Sequence, residues 1–168
     1  MELRLANESD KDKIWEILQQ AIAQRKADGS KQWQDGYPNL ETVVNDINNK
    51  YGYVLTENGI VIAYAAAIFG IEPAYNDLKG KWLTNGEYLV IHRVATHNNV
   101  KGRGLGTKIF EMFEDIVISK KIYSIKVDTN FDNKIMLHIL DKLKYVYCGE
   151  VIFDRAPKMA FEKVLHPK

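Results

Sequence analysis

From its first residues the chain alternates apolar and polar positions, and this period of two predicts a short strand over "MELRLA". Ser9, with Asp12 three residues on, resembles a capping box and predicts a helix start. Ile14, Ile17, Leu18, Ala21 and Ile22 then recur at helical spacing, so the helix is expected to run to about Arg25. Glycines and a proline in "ADGSKQWQDGYPN" end that period, after which Asn39 is expected to cap a second helix carrying Leu40, Val43, Val44 and Ile47. "YGYVLT" and "IVIAYAAAIFG" are apolar runs parted by "ENG". Asn-Gly between two such runs predicts an antiparallel hairpin.

The aromatic stretch "IEPAYNDLKGKWLTNG" reads as irregular. "EYLVIHRVAT" within 86–96 is rich in β-branched and aromatic residues and predicts a strand. Beyond it, Leu105, Ile109, Met112, Phe113 and Ile116 mark a helix, with Lys120 and Lys121 at its negative end. "IYSIKVD" predicts the next strand, and Asp132 is expected to cap a helix that turns Ile135, Met136, Ile139, Leu140 and Leu143 inward. "YVYCGEVIF" and "KMAFEKVL" close the chain as a hairpin around "DRAP". The order β α α β β β α β α β β predicts an α/β fold with a mixed α+β sheet. One helical crossover makes two strands parallel in an otherwise antiparallel sheet. No repeat or low-complexity linker divides the chain, so 1–168 is expected to be a single domain.

Composition narrows the chemistry. Lys and Arg total 23 against 22 for Asp and Glu, so no overall field draws the chain to nucleic acid or to an anionic membrane, and any basic site is local. Cys148 is the only cysteine, which excludes an internal disulfide and a thiolate metal cluster and suits a reducing cytoplasm. No apolar run has membrane-spanning length and the first residues lack a signal-peptide pattern, so a cytoplasmic protein is expected.

Candidate chemistry begins at "VKGRGLG", residues 100 to 106, where glycines alternate with Lys101 and Arg103. A strand that enters a glycine-rich turn and then a helix aims free backbone N–H groups and a positive dipole end at the turn, a setting for phosphate. The glycines alone leave a second reading open, a tight turn that merely requires positive φ. A P-loop needs Gly-Lys-Ser/Thr at its end, whereas Gly106 is followed by Thr107 and then Lys108. The dinucleotide fingerprint also fails, because Thr107 stands where its third glycine belongs and the early hairpin opposes a doubly wound sheet.

"THNNVKGRGLGTKIF" resembles the acetyl-CoA motif of GNAT-type N-acetyltransferases of a bacterial branch, and "DTNFDNKIMLHILDKLKYVYCGEV" resembles that family's following block. "QWQDGYPN" and "KMAFEK" are similar as well, so the likeness covers nearly the whole chain. It implies that the strands at 86–96 and 122–128 splay to admit pantetheine. Val94, Ala95 and Thr96 would then pair with pantetheine, while Lys101, Gly102, Arg103, Gly104, Leu105, Gly106 and Thr107 would wrap the pyrophosphate. Asn133 matches an asparagine near the cofactor, though an asparagine there can equally cap the helix. The expected cofactor is therefore acetyl-CoA. The expected partner is a small-molecule or peptide amine, with a homodimer left open.

The chain departs from the family pattern at Thr96, Asn98 and Lys101, where backbone bonding and charge survive. Lys144 and Tyr145 replace Gly and Phe. Leu140 stands where a tyrosine commonly donates a proton to the departing thiolate. A leucine cannot do so, which keeps a non-catalytic acyl-CoA-binding module as the alternative. An acceptor amine must lose a proton before it attacks, and His92, four residues before Thr96, is the favoured base against a structural reading. His97, Glu72 and Asp128 are weaker candidates. Trp33, Tyr37, Glu72 and Tyr75 are expected to bind the acceptor, with Trp82 beside them, although loop aromatics can simply cover a core. Tyr147 and Cys148 read as core packing.

Overall fold

A computed structural model of the chain describes Met1–Lys168. Its elements are β1 (Glu2–Leu5), α1 (Lys11–Ala27), α2 (Leu40–Asn48), β2 (Gly52–Glu57), β3 (Ile60–Phe69), β4 (Lys79–Gly80), β5 (Leu89–Thr96), α3 (Leu105–Ser119), β6 (Ser124–Thr129), α4 (Lys134–Lys142), β7 (Val146–Phe153) and β8 (Ala156–Val164). The addition to the expected order is β4, inside the stretch read as irregular. It pairs with Glu150 and Gly149 of β7, and a Cβ on Gly80 or Gly149 would lie 2.0 or 2.2 Å from a backbone oxygen. Two residues are too few for a periodicity to reveal.

The chain packs as two compact units, Met1–Ala67 with Arg93–Ile109, and Ile68–His92 with Phe110–Lys168. In the first, β1, β2 and β3 are successive antiparallel neighbours. Asn58 and Gly59 turn the β2–β3 hairpin with φ of 52° and 77°, the doubly positive geometry that Asn-Gly favours. Helix α1 buries Ile14, Ile17 and Leu18 in a core with Val43, Val54, Tyr64, Ala66 and Ala95. In the second unit the strand order is β5-β6-β8-β7-β4. Strands β5 and β6 are parallel, and the β6–β8 and β8–β7 neighbours antiparallel, which makes the sheet mixed as expected. Asp154 and Arg155, at φ 49° and 62°, turn the β7–β8 hairpin without a glycine.

Helix ends differ from their expected residues. The first cap is Asn7 with Asp10 returning to its backbone, about two residues before Ser9 and Asp12, because Asn7 is extended and offers its side chain to the turn Glu8–Asp10. Asn39 caps α2 as expected, its partner being Thr42. Asn133, not Asp132, caps α4 by accepting from the Met136 N–H. Ile135 is 71% and Tyr147 49% exposed, so neither packs inward. At the C-termini, Gly29, Lys50, Lys121 and Lys144 each take a left-handed conformation, with φ of 77°, 59°, 59° and 67°. Paired bonds close each end, as at α4, where Tyr145 N–H donates to Leu140 O and Lys144 N–H to Asp141 O.

Candidate active site

Strand β5 continues through a tight turn at Asn98–Val100 into Lys101–Gly104, and α3 begins at Leu105. Gly102 and Gly104 have φ of 82° and 70°, and a Cβ at either would meet nothing within 4 Å. Their role is therefore conformational, beside open space. Hydrogen bonding within α3 starts when Lys108 N–H donates to Gly104 O at 3.1 Å, so the first-turn N–H groups of Leu105, Gly106 and Thr107 precede any intrahelical acceptor. Lys101 Nζ donates to Gln24 Oε1 at 3.2 Å, and Arg103 forks onto Glu57 at 3.0 and 2.7 Å. That second pair is exposed on both sides, and exposed pairs contribute little. Arg103 is thus positioned at the turn without being fixed there.

Just before Val94, Ala95 and Thr96 the strand is irregular, for Arg93 takes φ 54°. The parallel register of β5 with β6 covers Leu89↔Ile125 and Val90↔Lys126, and ends before His92. Ala95 is buried in the first unit's core, whereas Val94 and Thr96 are half-buried.

Val90 and His92 share one face of β5, since alternate residues point the same way, and Tyr88, just before the strand, packs with Val90. Register carries Lys126 and Asp128 of β6, and Glu162 and Ala160 of β8, onto that face. His92 is 7% exposed and its ring stacks on Phe153 at 4.9 Å. Its Nε2 is buried without a hydrogen-bond partner, 3.8 Å from Glu72 Oε2, and its Nδ1 is 4.0 Å from Asp128 Oδ2. Both separations exceed a hydrogen bond. Each carboxylate is anchored by other groups. Glu72 N–H donates to Tyr88 Oη at 2.9 Å and Glu72 Oε1 accepts from Ala74 N–H at 3.2 Å. Asp128 Oδ2 accepts from Tyr75 Oη at 2.6 Å, and burial, then Asp128, pushes the Tyr75 hydroxyl well above the usual tyrosine range.

His92, Glu72, Asp128 and Tyr75 therefore come together, although Tyr75 is 1% exposed and reaches the group through Asp128. Trp33 and Tyr37 lie in the other unit, where Tyr37 Oη accepts from Arg93 Nη1 at 2.5 Å. His97 is spent on structure: its Nε2 lies 3.3 Å from Glu16 and from Gln20, and its Nδ1 accepts from Asn99 N–H. Leu140 is fully buried. Phe153 was not expected, since neither its hairpin nor its spacing marks it as a neighbour of His92. Lys126, 3% exposed, was also missed, though a lysine amid the apolar residues of "YSIKV" was a signal.

The sequence pattern of the GNAT acetyltransferase family matches residues 14–145. The chain belongs to that family. A GNAT family acetyltransferase from Streptococcus agalactiae is 37% identical, covers 98% of this chain and 95% of its own, and superposes with a TM-score of 0.89. An acetyltransferase from Staphylococcus aureus is 27% identical over 99% of this chain and 100% of its own, with a TM-score of 0.74. A Salmonella typhimurium protein described as an acetyltransferase, solved with acetyl-CoA, shares the fold at 16% identity, with 100% and 95% coverage and a TM-score of 0.68. No curated protein matches the chain. The family assignment makes this GNAT protein an N-acetyltransferase. No helix is long and apolar enough to cross a membrane.

Proposed function

We propose that 1–168 acts as one acetyl-CoA-dependent domain, in the cytoplasm, that passes an acetyl group to a small-molecule or peptide amine by direct attack on the thioester. The cofactor reading is supported by Gly102 and Gly104, whose positive φ and open surroundings suit backbone contact with a pyrophosphate at the start of α3. Leu105, Gly106 and Thr107 would add N–H donors there, Lys101 and Arg103 charge, Val94–Thr96 backbone pairing with pantetheine, and Asn133 a polar neighbour. When bound, acetyl-CoA supplies the activated acetyl carbon.

One observation carries the assignment of the base: His92 Nε2 is buried, unpartnered and 3.8 Å from a carboxylate. Glu72, whose side chain is 19% exposed against 6% for His92, would meet the incoming ammonium and pass one of its protons to Nε2. With that proton held on His92, the nitrogen lone pair would be free to attack the activated acetyl carbon; solvent would take the second proton the nitrogen must lose and supply the one the leaving sulfur needs, since Leu140 has none to give. Asp128 would hold the imidazolium from the Nδ1 side. Trp33 and Tyr37 are proposed as further acceptor contacts.

His92→Ala should lower turnover on an amine panel by roughly ten- to ten-thousand-fold, the range for losing a general base, and abolish the rise of rate with pH on the acid side. CoA should still raise its melting temperature. A folded variant that retains both rate and pH profile would sink the assignment. A wild-type chain that binds CoA but acetylates no amine would instead be a non-catalytic acyl-CoA-binding module.

A further inference from the structure

The face that carries His92 also carries a lysine that the acetyl transfer does not use. Lys126 is 3% exposed, yet no carboxylate oxygen lies within ion-pair distance of its ammonium. Glu162 stands directly across the β6–β8 register from it, but both Glu162 oxygens are taken by Leu83 N–H, Thr84 N–H, the Thr84 hydroxyl and the Ser124 hydroxyl. What Lys126 retains is a long contact of 3.4 Å to Thr84 O and the ring faces of Trp82 and Tyr88, at 4.4 and 4.2 Å. Burial lowers its tendency to hold a proton, with Glu162 opposing. A buried cation so thinly compensated is costly, and an anion placed beside it would offset that cost.

Space for an anion exists. Lys126 lines a cavity of about 900 Å³ within the second unit, whose other walls include Phe69, Ile71, Leu78, Trp82 and Tyr88. A ligand there would set a negatively charged group against the ammonium and a flat apolar body against the aromatic rings. We propose that this cavity is a binding site for a small organic monocarboxylate, with Lys126 as its anchor and Trp82 and Tyr88 as its flanking planes. Tyr75, which also lines the cavity, donates to Asp128 beside His92, so the site borders the His92 group, but its occupation does not depend on acetyl transfer.

Benzoate is a suitable probe, with acetate and inorganic phosphate testing the need for the flat body and benzamide the need for charge. The readout is the Trp82 indole N–H resonance, which reports on the cavity wall and is assigned with Trp82→Phe. Benzoate at millimolar concentration should shift that resonance saturably, acetate and phosphate should shift it less, and benzamide should not. Lys126→Met keeps the length of the side chain and removes the charge, so it should abolish the benzoate response while unfolding at the same or higher denaturant concentration. An unmoved Trp82 resonance with benzoate overturns the proposal, as does an equal response from benzamide or from the Lys126→Met protein. A marked loss of stability in Lys126→Met would also overturn it, because the ammonium would then be a structural cation already satisfied by its own fold.

Discussion

Asp46 and His92 are both buried ionisable side chains, and they end in opposite states. Asp46, 1% exposed in the first unit, accepts from Arg93 Nη2 at 2.7 Å, from Arg93 Nε at 3.1 Å and from Tyr64 Oη at 2.5 Å. Arg93 Nη1 donates to Tyr37 Oη. Burial works to discharge the guanidinium, but Tyr37 and Asp46 outweigh it and hold the charge firmly, while burial and Asp46 push the Tyr64 hydroxyl up. His92, in the second unit, has carboxylates on both sides and is bonded to neither. A closed network specifies one arrangement of its members. An unfilled one keeps the capacity to take a proton, and that separates a structural polar cluster from a candidate catalytic one.

The largest effect should come from breaking the closed network. Asp46→Ala leaves the Arg93 guanidinium buried without its carboxylate, and removal of one partner from such a pair costs about 3–5 kcal/mol. His92→Leu deletes no hydrogen bond, so its stability should stay within about 1 kcal/mol of wild type, even as its activity falls. Denaturant midpoints at constant slope measure both. Equal losses for the two variants would erase the distinction.

A smaller effect is expected where the unfilled donors belong to the backbone. With CoA at about a hundredfold excess over its dissociation constant, ligand linkage raises stability by about 2.7 kcal/mol, and Gly104→Val should remove that gain. A branched residue fits poorly at φ 70° and its side chain would enter the open space beside the turn. Retention of the full CoA-dependent shift in Gly104→Val would place the pyrophosphate elsewhere.

The turn was legible in the sequence, and the His92 cluster was legible only residue by residue. Asn58–Gly59 and Gly102–Gly104 declare themselves because backbone geometry at each is dictated by a few adjacent residues. Glu72, His92, Asp128 and Phe153 sit on four separate segments, and what joins them is the register Val90↔Lys126 together with the fold of the segment before β5. Periodicity fixes neither. The cap of α4 fell one residue from its expected place because Asp132 and Asn133 are both good cap residues and backbone conformation chooses between them. The stops of α2 and α4 were hidden for a different reason: the usual signal is glycine after the last turn, and Lys50 and Lys144 stand there instead.

Those lysines extend the comparison to strain. Lys144 at φ 67° and Arg93 at φ 54° both hold a left-handed conformation, which costs a non-glycine residue roughly 1–2 kcal/mol. Arg93 is kept there by its side chain, whose bonds to Asp46 and Tyr37 exceed the strain. Lys144 has an exposed side chain, and its conformation is set by the backbone bonds that close α4. Lys144→Gly should therefore relieve the strain and keep those bonds, raising stability by up to about 1 kcal/mol after the greater chain entropy of glycine is subtracted. Arg93→Gly relieves the same strain yet should destabilise, because Asp46 is left buried and unpaired. Measured together by denaturant unfolding, the two changes should have opposite signs. A loss from Lys144→Gly would mean that the lysine side chain itself holds the helix end, and that strain at this position is compensated as it is at Arg93.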